Sequence, residues 1–263
     1  MKTKLQHLFL NKPDQNLSVF ITAGFPKKES LLEIIPLLEN SDCDIIEIGI
    51  PFSDPLADGP IIQQSSNIAL DNGMTLFLLL KQIKEVRSLI SKPIVLMGYL
   101  NSILKFGLED FYQTCCESGV DGLIIPDLPL LEYKKDHEVL IKKYQLDFIF
   151  LISPSTYHNR ALDLANHSSG FVYMVSSNST TGNTIETKLD LSEKIKDLKS
   201  LGLKIPLLIG FGIKNAKHYN KACSISNGAI IGSAFIQVVE NSNNLKKDIP
   251  QFINSIKNKK IAS

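Results

Sequence analysis

Eight short apolar runs, each followed by an amphipathic stretch, recur along this 263-residue chain and constrain its fold more than any other feature. The runs fall at 17–22, 44–48, 93–97, 120–125, 147–152, 171–175, 205–209 and 229–231. They are rich in Ile, Val, Leu and Phe and do not alternate with polar residues, the pattern of strands covered on both faces. The stretches between them carry apolar residues at helical spacing and predict helices at 28–40, 60–72, 75–90, 108–118, 131–144, 158–167, 188–201, 214–222 and 233–240. Two more helices are expected at 2–10, from Leu5, Leu8 and Phe9, and in a tail at 245–257. Pro36 inside the second predicted helix should kink it or shift its start. Eight βα units in about 250 residues describe a (β/α)₈ TIM barrel with an extra N-terminal helix, forming a single domain over residues 1–263. A doubly wound open sheet is the rival, but it calls for a glycine-rich turn after the first strand, and Ala23-Gly24-Phe25-Pro26 is not one.

Such a barrel carries its chemistry at the C-terminal ends of its strands. One strand end there is unusual. Ile45, Ile46, Ile48 and Ile50 surround a lone acid, Glu47, and the chain then enters a loop stiffened by Pro51, Pro55 and Pro60 that bears Ser53, Asp54 and Asp58. An acid in an apolar run is costly unless it is paired or has work to do. Glu47 and Asp58 together suit proton transfer. The bland alternatives are a lysine partner for Glu47 and a turn-capping role for Asp58. After the seventh and eighth strands come Gly210-Phe211-Gly212 and Gly232-Ser233-Ala234, each opening a helix. Glycine admits close approach of an anion, and a helix N-terminus supplies free N–H groups, so this corner is expected to hold a phosphate, with Gly182 closing its third side.

The totals exclude other classes. With 28 basic and 27 acidic residues the chain has no field to attract nucleic acid or a membrane surface. Arg87 and Arg160 are the only arginines, so any anion is expected to rest mainly on backbone N–H groups. Cys43, Cys115, Cys116 and Cys223 match no metal-ligand spacing and read as reduced thiols, and no apolar run reaches membrane-spanning length, so a cytoplasmic location is expected. His7, His137, His158, His167 and His218 all fall on predicted helices or their ends and read as surface residues.

The segment from Glu47 to Pro60 resembles the signature of the tryptophan synthase alpha chain family. Thr22-Ala23-Gly24-Phe25-Pro26, Met97-Gly98-Tyr99-Leu100-Asn101, Pro126-Asp127-Leu128-Pro129, Gly210-Phe211-Gly212 and Gly232-Ser233-Ala234 extend the likeness over nearly the whole chain. The resemblance implies a lyase that cleaves indole-3-glycerol phosphate to indole and glyceraldehyde 3-phosphate. It implies that Glu47 is the general acid and base and that Asp58 polarises the indole N–H. Phe20, Leu100, Tyr173 and Phe211 would line the indole pocket, and Thr181, Gly182, Gly212, Gly232 and Ser233 would hold the phosphate. Asp54, Asn101 and Pro129 would face a beta chain, which carries the pyridoxal phosphate in an expected α₂β₂ tetramer; the chain itself would need neither metal nor cofactor. Asp127 is expected to be structural or to sit at that contact. Related barrels that close or epimerise phosphorylated substrates call for a catalytic lysine or metal-binding histidines at strand ends, which this chain lacks.

One loop departs from the family pattern. The segment Ser177-Asn178-Ser179-Thr180-Thr181-Gly182 lacks a usual glycine before Thr-Gly, and the usual arginine of the loop is missing. That departure motivates a second reading, an alpha-type subunit weakened in catalysis that acts mainly as an activator of the beta chain.

Overall fold

A computed structural model describes residues 2–55, 58–175, 191–210 and 212–258. Nine parallel strands lie in the order β5-β4-β3-β2-β1-β9-β8-β7-β6. They are β1 (Asn16–Thr22), β2 (Ile45–Gly49), β3 (Ile94–Met97), β4 (Gly122–Ile124), β5 (Asp147–Phe148), β6 (Leu151–Ile152), β7 (Val172–Val175), β8 (Leu207–Gly210) and β9 (Gly228–Ile231). The two ends of this order, β5 and β6, are halves of one segment separated by two residues. Its first half pairs with β4 and its second with β7. Across the gap, Ile149 N–H donates to Leu123 O at 2.9 Å and Tyr173 N–H to Phe150 O at 3.1 Å, so the sheet curls into the expected (β/α)₈ barrel.

Outside the sheet lie α1 (Lys4–Asn11), α2 (Ser30–Glu39), α3 (Pro60–Asp71), α4 (Leu76–Val86), α5 (Leu100–Phe106), α6 (Leu108–Ser118), α7 (Leu130–Glu132) and α8 (Glu138–Lys143). They are followed by α9 (His158–Asn166), α10 (Leu191–Ser200), α11 (Ala216–Cys223), α12 (Ser233–Asn241) and α13 (Leu245–Ile256). The side chains sort into two layers. Phe20, Val95, Met97, Ile124, Tyr173 and Ile230 fill the barrel interior, and a larger apolar layer packs the helices against the strands' outer faces. Helix α1 closes the N-terminal end of the barrel. Thr3 and Gln6 cap it reciprocally, and it sends Leu5 and Phe9 into the interior, where Phe9 meets Phe171 at 6.0 Å between ring centres.

Three details differ from the sequence reading. The expected helix over 131–144 is interrupted by a π-helical turn at Tyr133–His137. That turn carries His137 inward, where it is 3% exposed and its Nδ1 lies 2.5 Å from the Tyr112 hydroxyl; His137 is therefore a core residue and not a surface one. A short helix, α5, precedes the expected 108–118 helix, and the two are divided at Gly107, whose φ is 101°. Pro36 sits inside α2, which starts at Ser30 rather than 28 and runs through it without interruption.

Candidate active site

Glu47 projects from the middle position of β2 into the barrel interior, level in the strand register with Phe20 of β1. It is 1% exposed, and no lysine or arginine pairs with it among the described residues. Its Oε2 accepts a hydrogen bond from the Ser18 hydroxyl at 3.3 Å, and its Oε1 is buried with no partner among the described residues. Burial pushes the carboxyl up from 4.5 to about 8; the Ser18 hydroxyl pulls against that rise, and the nearby Asp58 adds to it.

Asp58 reaches the same space from the loop above β2. That loop is held from α3, where Gln63 Nε2 donates to the carbonyls of Asp58 at 3.0 Å and Pro55 at 3.3 Å. Its base is fixed by a 2.6 Å hydrogen bond between Thr22 at the end of β1 and Ser65 of α3. The Asp58 carboxylate accepts a hydrogen bond from the Tyr99 hydroxyl at 3.2 Å, and the Tyr99 ring stacks on Phe52 at 5.0 Å between centres. Burial raises Asp58 to about 6, with the Tyr99 hydrogen bond opposing. At neutral pH the pair is therefore split, Glu47 holding its proton and Asp58 ionised. Tyr173, buried beside both acids, is held well above the usual phenol range by burial first and, once both are ionised, by their charge second.

Both acids line one cavity, together with Phe20, Tyr173, Gly212, Gly232 and Ser233. Gly212 adopts φ 77°, a left-handed backbone that disfavours any side chain. Gly210 has a different use from the one its motif suggests: a Cβ there would fall 2.2 Å from the Tyr173 hydroxyl oxygen, so its bareness makes room for that ring. Gly232 is the N-cap of α12 and has no side chain to occupy the helix's free N–H groups, which open at the cavity wall.

Other sequence-predicted residues fall elsewhere. Leu100 begins α5, is half-buried and lies outside the cavity lining; its N–H donates to the Asp127 carboxylate at 2.9 Å. Asp54, Asn101 and Pro129 are all exposed, and the Asp127–Leu100 bond ties the segments bearing the last two. Asp54 accepts a hydrogen bond from Ser53 Oγ at 2.5 Å. Thr181, Gly182 and Phe211, and with them the altered 177–182 loop, lie outside the described residues. Sequence reasoning passed over Ser18, Ile62, Met97 and Lys214. Ser18 had a signal, a hydroxyl inside an apolar strand, of the same kind as Glu47. Among the described residues no cluster of three or more His, Cys, Asp or Glu could hold a metal, and no helix is long and apolar enough to cross a membrane.

Fold and cavity define the class: a (β/α)₈ barrel enzyme with its cleft at the C-terminal ends of the strands. The model of the family described as "Tryptophan synthase alpha chain" matches residues 8–262. The tryptophan synthase alpha chain of Christiangramia forsetii is 46% identical over 248 residues, covering 94% of this chain and 96% of that one. That of Karelsulcia muelleri is 45% identical, covering 96% and 98%. Among solved structures, tryptophan synthase subunit alpha from Legionella pneumophila str. Paris superposes with a TM-score of 0.88 at 29% identity, covering 98% of each chain. Tryptophan synthase from Mycobacterium tuberculosis gives 0.87 at 26%, covering 97% of each. The chain belongs to the tryptophan synthase alpha chain family and is a lyase.

Proposed function

We propose that this chain cleaves indole-3-glycerol phosphate to indole and glyceraldehyde 3-phosphate, with Glu47 and Asp58 as its catalytic residues. The observation that carries the proposal is a pair of buried acids without a cationic partner among the described residues, facing the Gly212 and Gly232-Ser233 corner across one cavity. Protonated Glu47 delivers its proton to the ring carbon bearing the glycerol phosphate. The indole nitrogen becomes positive, and the ionised Asp58 stabilises its N–H. Glu47, now a carboxylate, takes the proton of the hydroxyl on the adjoining side-chain carbon. The carbon–carbon bond then breaks, its electrons return to the ring, and the aldehyde forms. The proton lent in the first step is regained in the last, so one carboxyl serves as acid and then as base. Phe20 and Tyr173 supply flat apolar surface for the indole, and the N–H groups at Gly212, Gly232 and Ser233 hold the phosphate.

The same reading makes the chain a single barrel domain and a partner of a tryptophan synthase beta chain in an α₂β₂ tetramer in the cytoplasm. Asp54, Asn101 and Pro129 would lie at that contact, and pyridoxal phosphate would reside in the beta chain alone. The test is indole release from indole-3-glycerol phosphate by the purified chain, with and without a beta chain, in wild type and Glu47→Gln. Release that Glu47→Gln abolishes supports the proposal. Release unchanged by Glu47→Gln contradicts the catalytic assignment, and stimulation of a beta chain by an alpha chain that releases no indole supports the activator reading instead.

A further inference from the structure

We infer that Lys214 is a substrate-binding residue, the side-chain counter-charge for the substrate's phosphate and the group by which the cavity prefers a dianionic substrate to a neutral one. The inference rests on the proposed cleavage reaction and deepens it. Lys214 follows Gly212 and Ile213 directly and forms part of the cavity wall with them. It is exposed, and it makes no ion pair or hydrogen bond with another described residue. Most other cations near a strand end are engaged elsewhere. Arg87 is bound to Asp121, Lys12 and Lys257 to Asp44, and Lys92 Nζ donates to the carbonyls of Leu38, Glu39 and Ser41. Lys194 Nζ donates to Thr156 O. Among the described residues Lys214 is the one cationic residue that lines the cavity.

Charge balance explains why the site calls for it. A phosphate dianion entering this cavity meets Asp58, already ionised at neutral pH, and partial charges on backbone N–H groups offset only part of that repulsion. A lysine at the rim adds a full positive charge on a flexible stem, and its exposure means that no buried partner has to be broken to use it. Helix α11, which starts two residues later, is already capped by the Asn215 side chain. The anion-binding capacity of this stretch therefore resides in the Gly212 region and in Lys214.

The test compares wild type, Lys214→Gln, Lys214→Arg and, as a charge control on an exposed face of α11, Lys217→Gln. For Lys214→Gln we expect KM for indole-3-glycerol phosphate to rise about tenfold, with kcat changing far less, since a charge contact to the bound phosphate persists through the reaction. Inhibition by inorganic phosphate should weaken by the same factor while inhibition by indole, which is uncharged, stays constant. Lys214→Arg should restore most of the loss, and Lys217→Gln should behave as wild type. Equal KM and equal phosphate inhibition in wild type and Lys214→Gln would overturn the inference. If wild type releases no indole, the proposed reaction fails on its own, and calorimetric titration of inorganic phosphate into wild type and Lys214→Gln still decides the role of Lys214.

Discussion

Two acids at each end of the barrel, Asp44 and Asp121 at the N-terminal end and Glu47 and Asp58 at the C-terminal end, are treated in opposite ways. At the N-terminal end, Asp121 receives Arg87 at 2.9 Å, Lys4 at 3.7 Å and the Ile94 N–H at 2.8 Å. Asp44 receives Lys12 at 2.5 Å, Lys257 at 3.0 Å and the Leu17 N–H at 2.8 Å. These pairs tie α1, α4 and the chain following α13 to the strand starts. At the C-terminal end, Glu47 and Asp58 are as deeply placed but have, among the described residues, only the hydroxyls of Ser18 and Tyr99 as hydrogen-bond partners. Burial raises Asp121 too, but a backbone N–H and Arg87 pull it back, whereas no cation among the described residues offsets the rise at Glu47. Asp44 and Asp121 at the floor are compensated and structural; Glu47 and Asp58 at the mouth are left costly, which is where a fold stores chemistry.

The sharpest way to break this contrast is to neutralise one acid at each end. Glu47→Gln should lower indole release by about 10²–10⁴-fold and leave the fold as stable or more so, because it removes a desolvated carboxyl. Asp58→Asn should cost about 10²-fold in rate, again without loss of stability. Asp121→Ala should do the reverse. It strands Arg87, whose side chain is 14% exposed, and should destabilise by about 3 kcal/mol in a denaturant titration, while the folded fraction keeps its activity.

The pH dependence sharpens the comparison further. Activity should follow a bell with limbs near 6 and 8, falling on the acid side as Asp58 gains a proton and on the alkaline side as Glu47 loses its own. Because both acids are raised by folding, the folded chain holds protons that the unfolded chain has released. Their contribution to stability therefore declines as pH rises from about 4.5 to 8. Glu47→Gln should flatten most of that slope in melts recorded across the window. The smallest effect belongs to Ser18→Ala. Loss of its hydrogen bond to the ionised form should move the alkaline limb upward by up to about one pH unit, and Ser18→Thr should return it.

Much of this was legible in the chain. Strand burial on both faces followed from uninterrupted apolar runs, and an acid inside one of them marked the mouth of the barrel. What escaped was set by contacts distant in sequence. His137 reads as polar helix surface until a π-helical turn rotates it onto Tyr112. Gly210 reads as part of an anion loop until Tyr173 is seen to need its space. Leu100 belongs to a motif that borders the site, yet its own place is fixed by a helix start and by Asp127. Local pattern announces an element's period, whereas the direction of a single side chain depends on what the opposite strand or helix leaves open.

The central claim is that Glu47 keeps its proton at neutral pH because it is buried and no cation among the described residues pairs with it. A carbon-13 NMR titration of the labelled Glu47 side chain in the free protein, assigned with Glu47→Gln, tests this most directly. The account predicts a midpoint near 8; a midpoint at the ordinary value of 4.5 would contradict it.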